Sequence, residues 1–214
     1  MSILTASFLN IRTKLWRMFP AQPCFLCGAA SDEIWCSACD ADLPYLTLPH
    51  CPVCALPTLS GETCGRCLQK QPQFDRTVAV FAYTFPLDKL IQALKFGEQL
   101  VLVNRLADKL AQRADNKSHI QPDYIIPMPL HPARLRERGF NLSQELARRV
   151  GKKLGIPVLS NACQRVRDTP PQSSLRWQER SKNMRRAFSC SSNLTGKHIA
   201  VVDDVMTSGA SLNE

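Results

Sequence analysis

The chain has 214 residues, 44% hydrophobic and 21% charged, with ten cysteines and a formal net charge of +9. This length holds one full core plus a small module, and the composition excludes a disordered chain. Residues 1–74 carry five Lys/Arg and five Asp/Glu, so the whole excess lies beyond them; Arg134 to Arg186 alone has fourteen basic residues against four acids. Such a concentration implies polyanionic ligands, either a pyrophosphorylated sugar or a nucleic acid strand.

Residues 1–20 place Leu4, Phe8, Ile11, Leu15 and Met18 four and three apart, which predicts a short amphipathic helix packed on the rest of the protein. Arg12, Lys14 and Arg17 interrupt the apolar run and exclude a secretory signal. No other stretch is apolar for long enough to enter a bilayer, so no stable membrane insertion is expected and the cytoplasm is the expected location.

Residues 21–70 form an expected double zinc-ribbon module. Eight cysteines fall there as four C-x-x-C pairs: Cys24/Cys27, Cys36/Cys39, Cys51/Cys54 and Cys64/Cys67. Each pair puts two thiolates on one side of a tight knuckle, and two knuckles supply the four soft ligands that Zn2+ takes tetrahedrally. The spacing fits one or two structural zinc ions, with sequential ribbons favoured over an interleaved cross-brace. A proline-rich segment this short cannot build a sufficient core alone, so metal binding would be part of its folding free energy. The missing secretion signal disfavours a disulfide framework, and fourfold repetition disfavours a redox pair. Cys163 and Cys190 lack partners at metal spacing and are expected to be buried small hydrophobes.

After a linker at Lys70 to Asp75, residues 75–214 read as a second domain. Thr77 to Thr84 is β-rich. Pro86 opens a helix with Leu87, Leu90, Ile91 and Leu94 on one stripe, and a second helix runs from about Glu98 to Ala114. A strand is expected at Asp123 to Ile126, then a proline-rich loop over Pro127 to Phe140. A helix follows from Asn141, its N-cap, to Leu154 with Gly155 as stop, then a short strand at Ile156 to Leu159. This alternation predicts an α/β fold with a mostly parallel sheet.

Two connections look too costly to be mere connectors. The loop after the first parallel strand carries His131, Arg134, Arg136 and Arg138, a candidate clamp for pyrophosphate or DNA phosphates, together with Lys95. The segment Arg165 to Ala187 holds seven basic residues and Trp177, and is either a lid or disordered; Trp177 could stack a base or anchor the loop.

The last residues, HIAVVDDVMTSGASLNE, carry the sharpest signal. Ile199 to Val202 read as a buried parallel strand, with Asp203 and Asp204 at its carboxyl end, where ligands bind in open α/β sheets. Two adjacent carboxylates there can accept from vicinal hydroxyls or help hold a divalent metal. Thr207, Ser208, Gly209, Ala210 and Ser211 then form a small-residue loop whose N–H and hydroxyl groups suit a phosphate. The ordered pattern is similar to the motif of type I phosphoribosyltransferases that binds 5-phosphoribosyl 1-pyrophosphate (PRPP). In that family the acids hold the ribose 2′ and 3′ hydroxyls and the loop holds the 5′-phosphate.

Read together, the C-x-x-C pairs, Leu94-Lys95-Phe96, Pro127-x-Pro129-Leu130, Arg138-Gly139-Phe140-Asn141, Thr169 with Gln172, Arg180 with Asn183, Ala187-Phe188 and the terminal motif resemble the ComF family. The resemblance covers about residues 24 to 214, with Leu142 standing where Gln commonly follows. It implies an N-terminal zinc-binding domain joined to a type I phosphoribosyltransferase-like domain, linked to uptake or use of external DNA. It also implies Mg2+ bound with PRPP, and a further helix and strand beyond the motif. The 75–214 domain is therefore expected to be C-terminally incomplete and its activity impaired. Two readings stand: a phosphoribosyltransferase acting on PRPP, with no general base visible, or a non-catalytic single-stranded DNA-binding accessory protein of competence. DNA-uptake or helicase-type proteins are the partners the resemblance suggests.

Overall fold

A computed structural model describes residues 22–96, 100–115, 121–169 and 182–214. The expected N-terminal helix, and Gln172, Trp177 and Arg180 of the second basic segment, lie outside the described residues. The chain is a mixed α/β protein with small sheets, and it divides between Leu43 and Pro44 into two compact units.

The first unit is built around one knuckle. Strand β1 (Gln22–Pro23) pairs antiparallel with β2 (Ala30–Ser31), and Gly28 turns the chain between them at φ +76°, its N–H donating to the Cys24 carbonyl at 2.8 Å. Helix α1 (Ser37–Ala41) starts at Cys36. The unit's buried apolar side chains among the described residues are Cys24, Leu43 and Trp35, the last 1% exposed with its Nε1 donating to Asp40 Oδ1 at 2.8 Å. So small an apolar core is too little to hold a fold without a cross-link or metal.

In the second unit, helix α2 (Gly65–Gln69) starts at Cys64 and carries Cys67, and helices α3 (Leu87–Phe96) and α4 (Val101–Ala114) come next. The expected stripe of α3 is the buried one: Leu87, Leu90, Ile91 and Leu94 are all at most 6% exposed. Strand β3 (Tyr124–Pro127) pairs in parallel with β6 (Ile199–Val202), Ile125 opposite Ala200. On its other side β3 makes a parallel bridge from Ile125 to Val158, with Ile125 N–H donating to Pro157 O and Leu159 N–H to Ile125 O. The expected strand at 156–159 is thus one bridge long.

Helix α6 (Leu142–Leu154) packs on β3 and on α4. Asn141 caps it, accepting from Ser143 N–H at 3.1 Å, and Gly155 ends it at φ +70°. The close approach is made by Gly151: a Cβ there would lie 2.5 Å from Val158 Cγ2 and 2.7 Å from the Ile156 carbonyl.

Three expectations are corrected. Thr77 to Thr84 does not join the parallel sheet. It meets Pro44–Leu46 through a single antiparallel bridge, Tyr45 to Phe81, because Pro44 supplies a carbonyl for Ala82 N–H but no N–H in return. The loop over 127–140 contains helix α5 (Pro132–Arg138), started by Pro132 with His131 as cap and stopped by Gly139 at φ +81°. Finally, Cys163 and Cys190 are not buried hydrophobes. They face each other across the antiparallel pair β4 (Cys163–Arg165) and β5 (Phe188–Cys190), Cα atoms 4.1 Å apart, and are joined by a disulfide. A register pairing between positions 27 apart in sequence leaves no spacing signal.

Candidate functional site

The parallel pair aims the acids. Met128 N–H donates to Val202 O at 2.9 Å, extending the ladder to the last residue of β6, so Asp203 and Asp204 leave the sheet beside the loop that follows β3. Asp203 Oδ1 accepts from Ser143 Oγ at 2.9 Å and from Asp204 N–H at 2.9 Å. Burial above all, and then the neighbouring Asp204 charge, push the Asp203 carboxyl up to about 7, against the pull of those two donors and of Lys95. Asp204 Oδ2 takes an ion pair from Lys95 Nζ at 2.8 Å, both side chains mostly covered. Lys95, grouped from sequence with the phosphate-binding arginines, therefore sits on a carboxylate here.

The small-residue loop is built as a tight turn. Gly209 adopts φ +72° and is buried, and an added Cβ would lie 3.1 Å from Met206 Cε and 3.2 Å from Phe74 Cζ. Ser208 Oγ accepts from Ala210 N–H at 3.3 Å, and Asn213 N–H closes a turn on Gly209 O at 2.9 Å. Thr207 is exposed, while Ser208 and Ser211 are half-buried. A cleft of about 330 Å³ runs beneath, lined by Asp203, Asp204 and Thr207 and by apolar side chains including Val80, Leu87, Ile91 and Leu146.

Of the three α5 arginines, Arg134 and Arg138 are one helical turn apart and half-buried, and Arg136 points away and is exposed. Sequence reasoning missed two residues that the fold adds to this region. Ser143, 5% exposed, is a polar residue among the buried positions of α6; that irregularity was its signal. Arg165, on β4, is held back from full basicity first by burial and then by Arg134, with Asp168 and Asp203 offsetting. Its guanidinium lies 5.8 Å over the Phe188 ring, bonds Thr169 Oγ1, and keeps a buried Nε with no hydrogen-bond partner among the described residues. Arg134, Arg165 and Asp203 thus interact electrically, which brings the first basic segment toward the acid motif.

The cysteines gather in the sequential arrangement. Cys24, Cys27, Cys36 and Cys39 form one group in the first unit, and Cys51, Cys54, Cys64 and Cys67 another in the second, each with its sulfurs within 4.8 Å of one another. Cys27 and Cys36 Sγ are 3.8 Å apart, Cys54 and Cys64 Sγ 3.6 Å; a tetrahedron with Zn–S of about 2.3 Å has edges of about 3.8 Å. Backbone N–H groups point at the sulfurs, Cys36 to Cys24 at 3.3 Å and Cys64 to Cys51 at 3.4 Å. Burial opposes ionisation of Cys24 and Cys51, yet the N–H groups of Cys27, Cys36 and Leu26 in one, and Cys64, Cys54 and Val53 in the other, bring both down to about 6. Cys67 is pushed up to about 12 by burial and by neighbouring thiols. The donors, distances and N–H···S bonds fit structural zinc.

A family profile described as a double zinc ribbon domain matches residues 15–68. The chain is 34% identical over 187 residues to competence protein F of Haemophilus influenzae, covering 84% of this chain and 81% of that protein. It is 37% identical over 199 residues to the DNA utilization protein YhgH of Salmonella typhimurium, covering 89% and 87%. Competence protein ComFC of Bacillus subtilis is 23% identical over 191 residues, covering 85% and 76%. No described helix is long and apolar enough to cross a membrane.

Proposed function

Because the chain belongs to the competence protein F (ComF) family, we propose that it serves DNA uptake or use through a site for PRPP or a related phosphoribosyl ligand on a type I phosphoribosyltransferase-like domain. One observation carries this reading: the Asp203–Asp204 pair at the end of a parallel strand, braced by Ser143 and Lys95 and followed by the tight turn at Gly209. Asp203 and Asp204 would accept from the ribose hydroxyls, and the Thr207 to Ser211 loop would hold the 5′-phosphate with N–H and hydroxyl donors. Arg165, which feels the charges of both Arg134 and Asp203, would with Arg134 face the pyrophosphate. Mg2+, when bound with PRPP, supplies charge neutralisation on the pyrophosphate. These residues position and neutralise; none is assigned as a base toward an acceptor. The two cysteine groups would each hold a structural zinc ion.

Calorimetric titration of PRPP with and without Mg2+ tests the site. Binding that needs Mg2+ and weakens at least about tenfold in Asp204→Asn is expected, since one ribose hydroxyl acceptor and the partner of Lys95 are lost together. Unchanged binding in that variant, or none in the parent, sinks the proposal.

The basic excess favours a second reading, single-stranded DNA binding along α5, where Arg134 and Arg138 share a face. The logarithm of DNA affinity should then fall linearly with the logarithm of salt, and Arg134→Ala should lower that slope by about one phosphate contact. A slope unaffected by Arg134→Ala removes α5 from the DNA path.

A further inference from the structure

The second cysteine group touches the loop assigned above to the sugar phosphate. Met206, inside the acid-to-glycine run, packs against the buried cluster of Cys51, Cys54 and Cys67 together with Val53 and Cys64. Thr77 ties the knuckle to the same place: its Oγ1 donates to Val53 O at 2.6 Å, its N–H donates to Pro52 O at 3.1 Å, and Met206 Sδ lies 3.5 Å from the hydroxyl. Pro52 and Val53 are the two residues between the ligands Cys51 and Cys54. From Met206 the contact passes on, since its Cε abuts Gly209, whose other neighbour is Phe74. Behind the loop, Gln73 N–H donates to Asn213 Oδ1 at 2.9 Å. The chain from Cys51 to Phe74 thus backs the loop from Met206 to Asn213.

We propose that the second cysteine group, when it holds its metal, positions the 205–213 loop through Val53, Thr77 and Met206, so that ligand affinity at the loop depends on that metal and not on the first. Without a metal, four thiols at these separations have no common centre to hold the knuckle. Val53 O and the Cys51/Cys54 wall would shift, and Met206 would lose the surface that fixes it. A loop whose function depends on converging N–H groups tolerates such motion poorly. The first group lies in the other unit.

The reading of the loop as a phosphate site is assumed only in the second of two measurements. Hydrogen exchange of the 205–213 amides should rise about tenfold or more in Cys64→Ser. Thr77→Val keeps all eight thiols and about two zinc ions per chain, and removes the bond to Val53 O; it should raise exchange there several-fold. Cys39→Ser, which breaks only the first group, should leave those amides unchanged. Mg2+-PRPP affinity by calorimetry should fall in the same order. If exchange over 205–213 is the same in Thr77→Val as in the parent, with zinc content intact, the coupling is overturned even where PRPP binds normally. If exchange rises as stated and PRPP binds no variant and no parent, the coupling stands and the ligand assignment fails. If Cys64→Ser does not fold, Thr77→Val alone decides.

Discussion

Asp203 shows how much one carboxyl can depend on burial. Its carboxyl is pushed up to about 7 chiefly by burial, so between about pH 4 and 7 the unfolded chain is ionised while the folded one keeps a proton. The folded state binds more protons, and stability from this group falls as pH rises through that window. Asp203→Asn, which can still accept from Ser143, should therefore be more stable than the parent at pH 8, by about 2 kcal/mol in urea denaturation, with the gap closing toward pH 4. Ligand binding should run the other way. PRPP affinity of the parent should climb through pH 7 as Asp203 gains its acceptor charge, and a parent profile matching that of Asp203→Asn would contradict the role. The acids themselves were legible in the sequence. Ser143 was not, because a serine near a helix start reads as capping until the strand it faces is known.

Among the elements, helix α6 sets how closely the helical layer approaches the parallel strands. Glycine in a helix interior costs about 1 kcal/mol relative to alanine, so Gly151 is retained for space. Its missing Cβ admits Val158 Cγ2 and the Ile156 carbonyl, and the second is backbone that cannot rotate away. Gly151→Ala should lose about 2 kcal/mol of stability despite its better helix propensity, checked by chemical denaturation. A gain in stability would show that the 155–158 turn yields freely. The helices α3, α4 and α6 were legible because apolar stripes at helical period are local signals; their burial follows those stripes. Residues 77–84 and 156–159 were legible as extended, but their partners were not, since pairing is decided by distant chain. Helix α5 was masked by its charges, although Pro132 and Gly139 marked both ends.

For the molecule as a whole, the division at Leu43 separates the two cysteine groups. Loss of either metal should thus act within its own unit. Metal analysis of the parent should give about two zinc ions per chain, and Cys39→Ser about one. Limited proteolysis of Cys39→Ser should open sites within 22–43 and leave the cleavage pattern of 44–214 as in the parent, while Cys54→Ser should open new sites in the second unit. Equal proteolysis of both units in Cys39→Ser would show that they fold as one. Fourfold C-x-x-C spacing announced the metal sites, and the sulfur separations assign ligands to sequential groups. Nothing in that spacing told which group would share a unit with the acid motif, because unit boundaries follow packing density and not motif order.

In the proposed site, the Lys95–Asp204 pair would act as a cation exchanger. A divalent ion or hydroxyl that claims Asp204 Oδ2 must displace an internal ammonium, and the displaced ammonium, still tethered to α3, needs a new anion. Metal alone should therefore bind weakly and pyrophosphate alone weakly, each leaving one charge stranded. Offered together they satisfy Asp204 and Lys95 at once, and by linkage each should raise the other's affinity by the same factor.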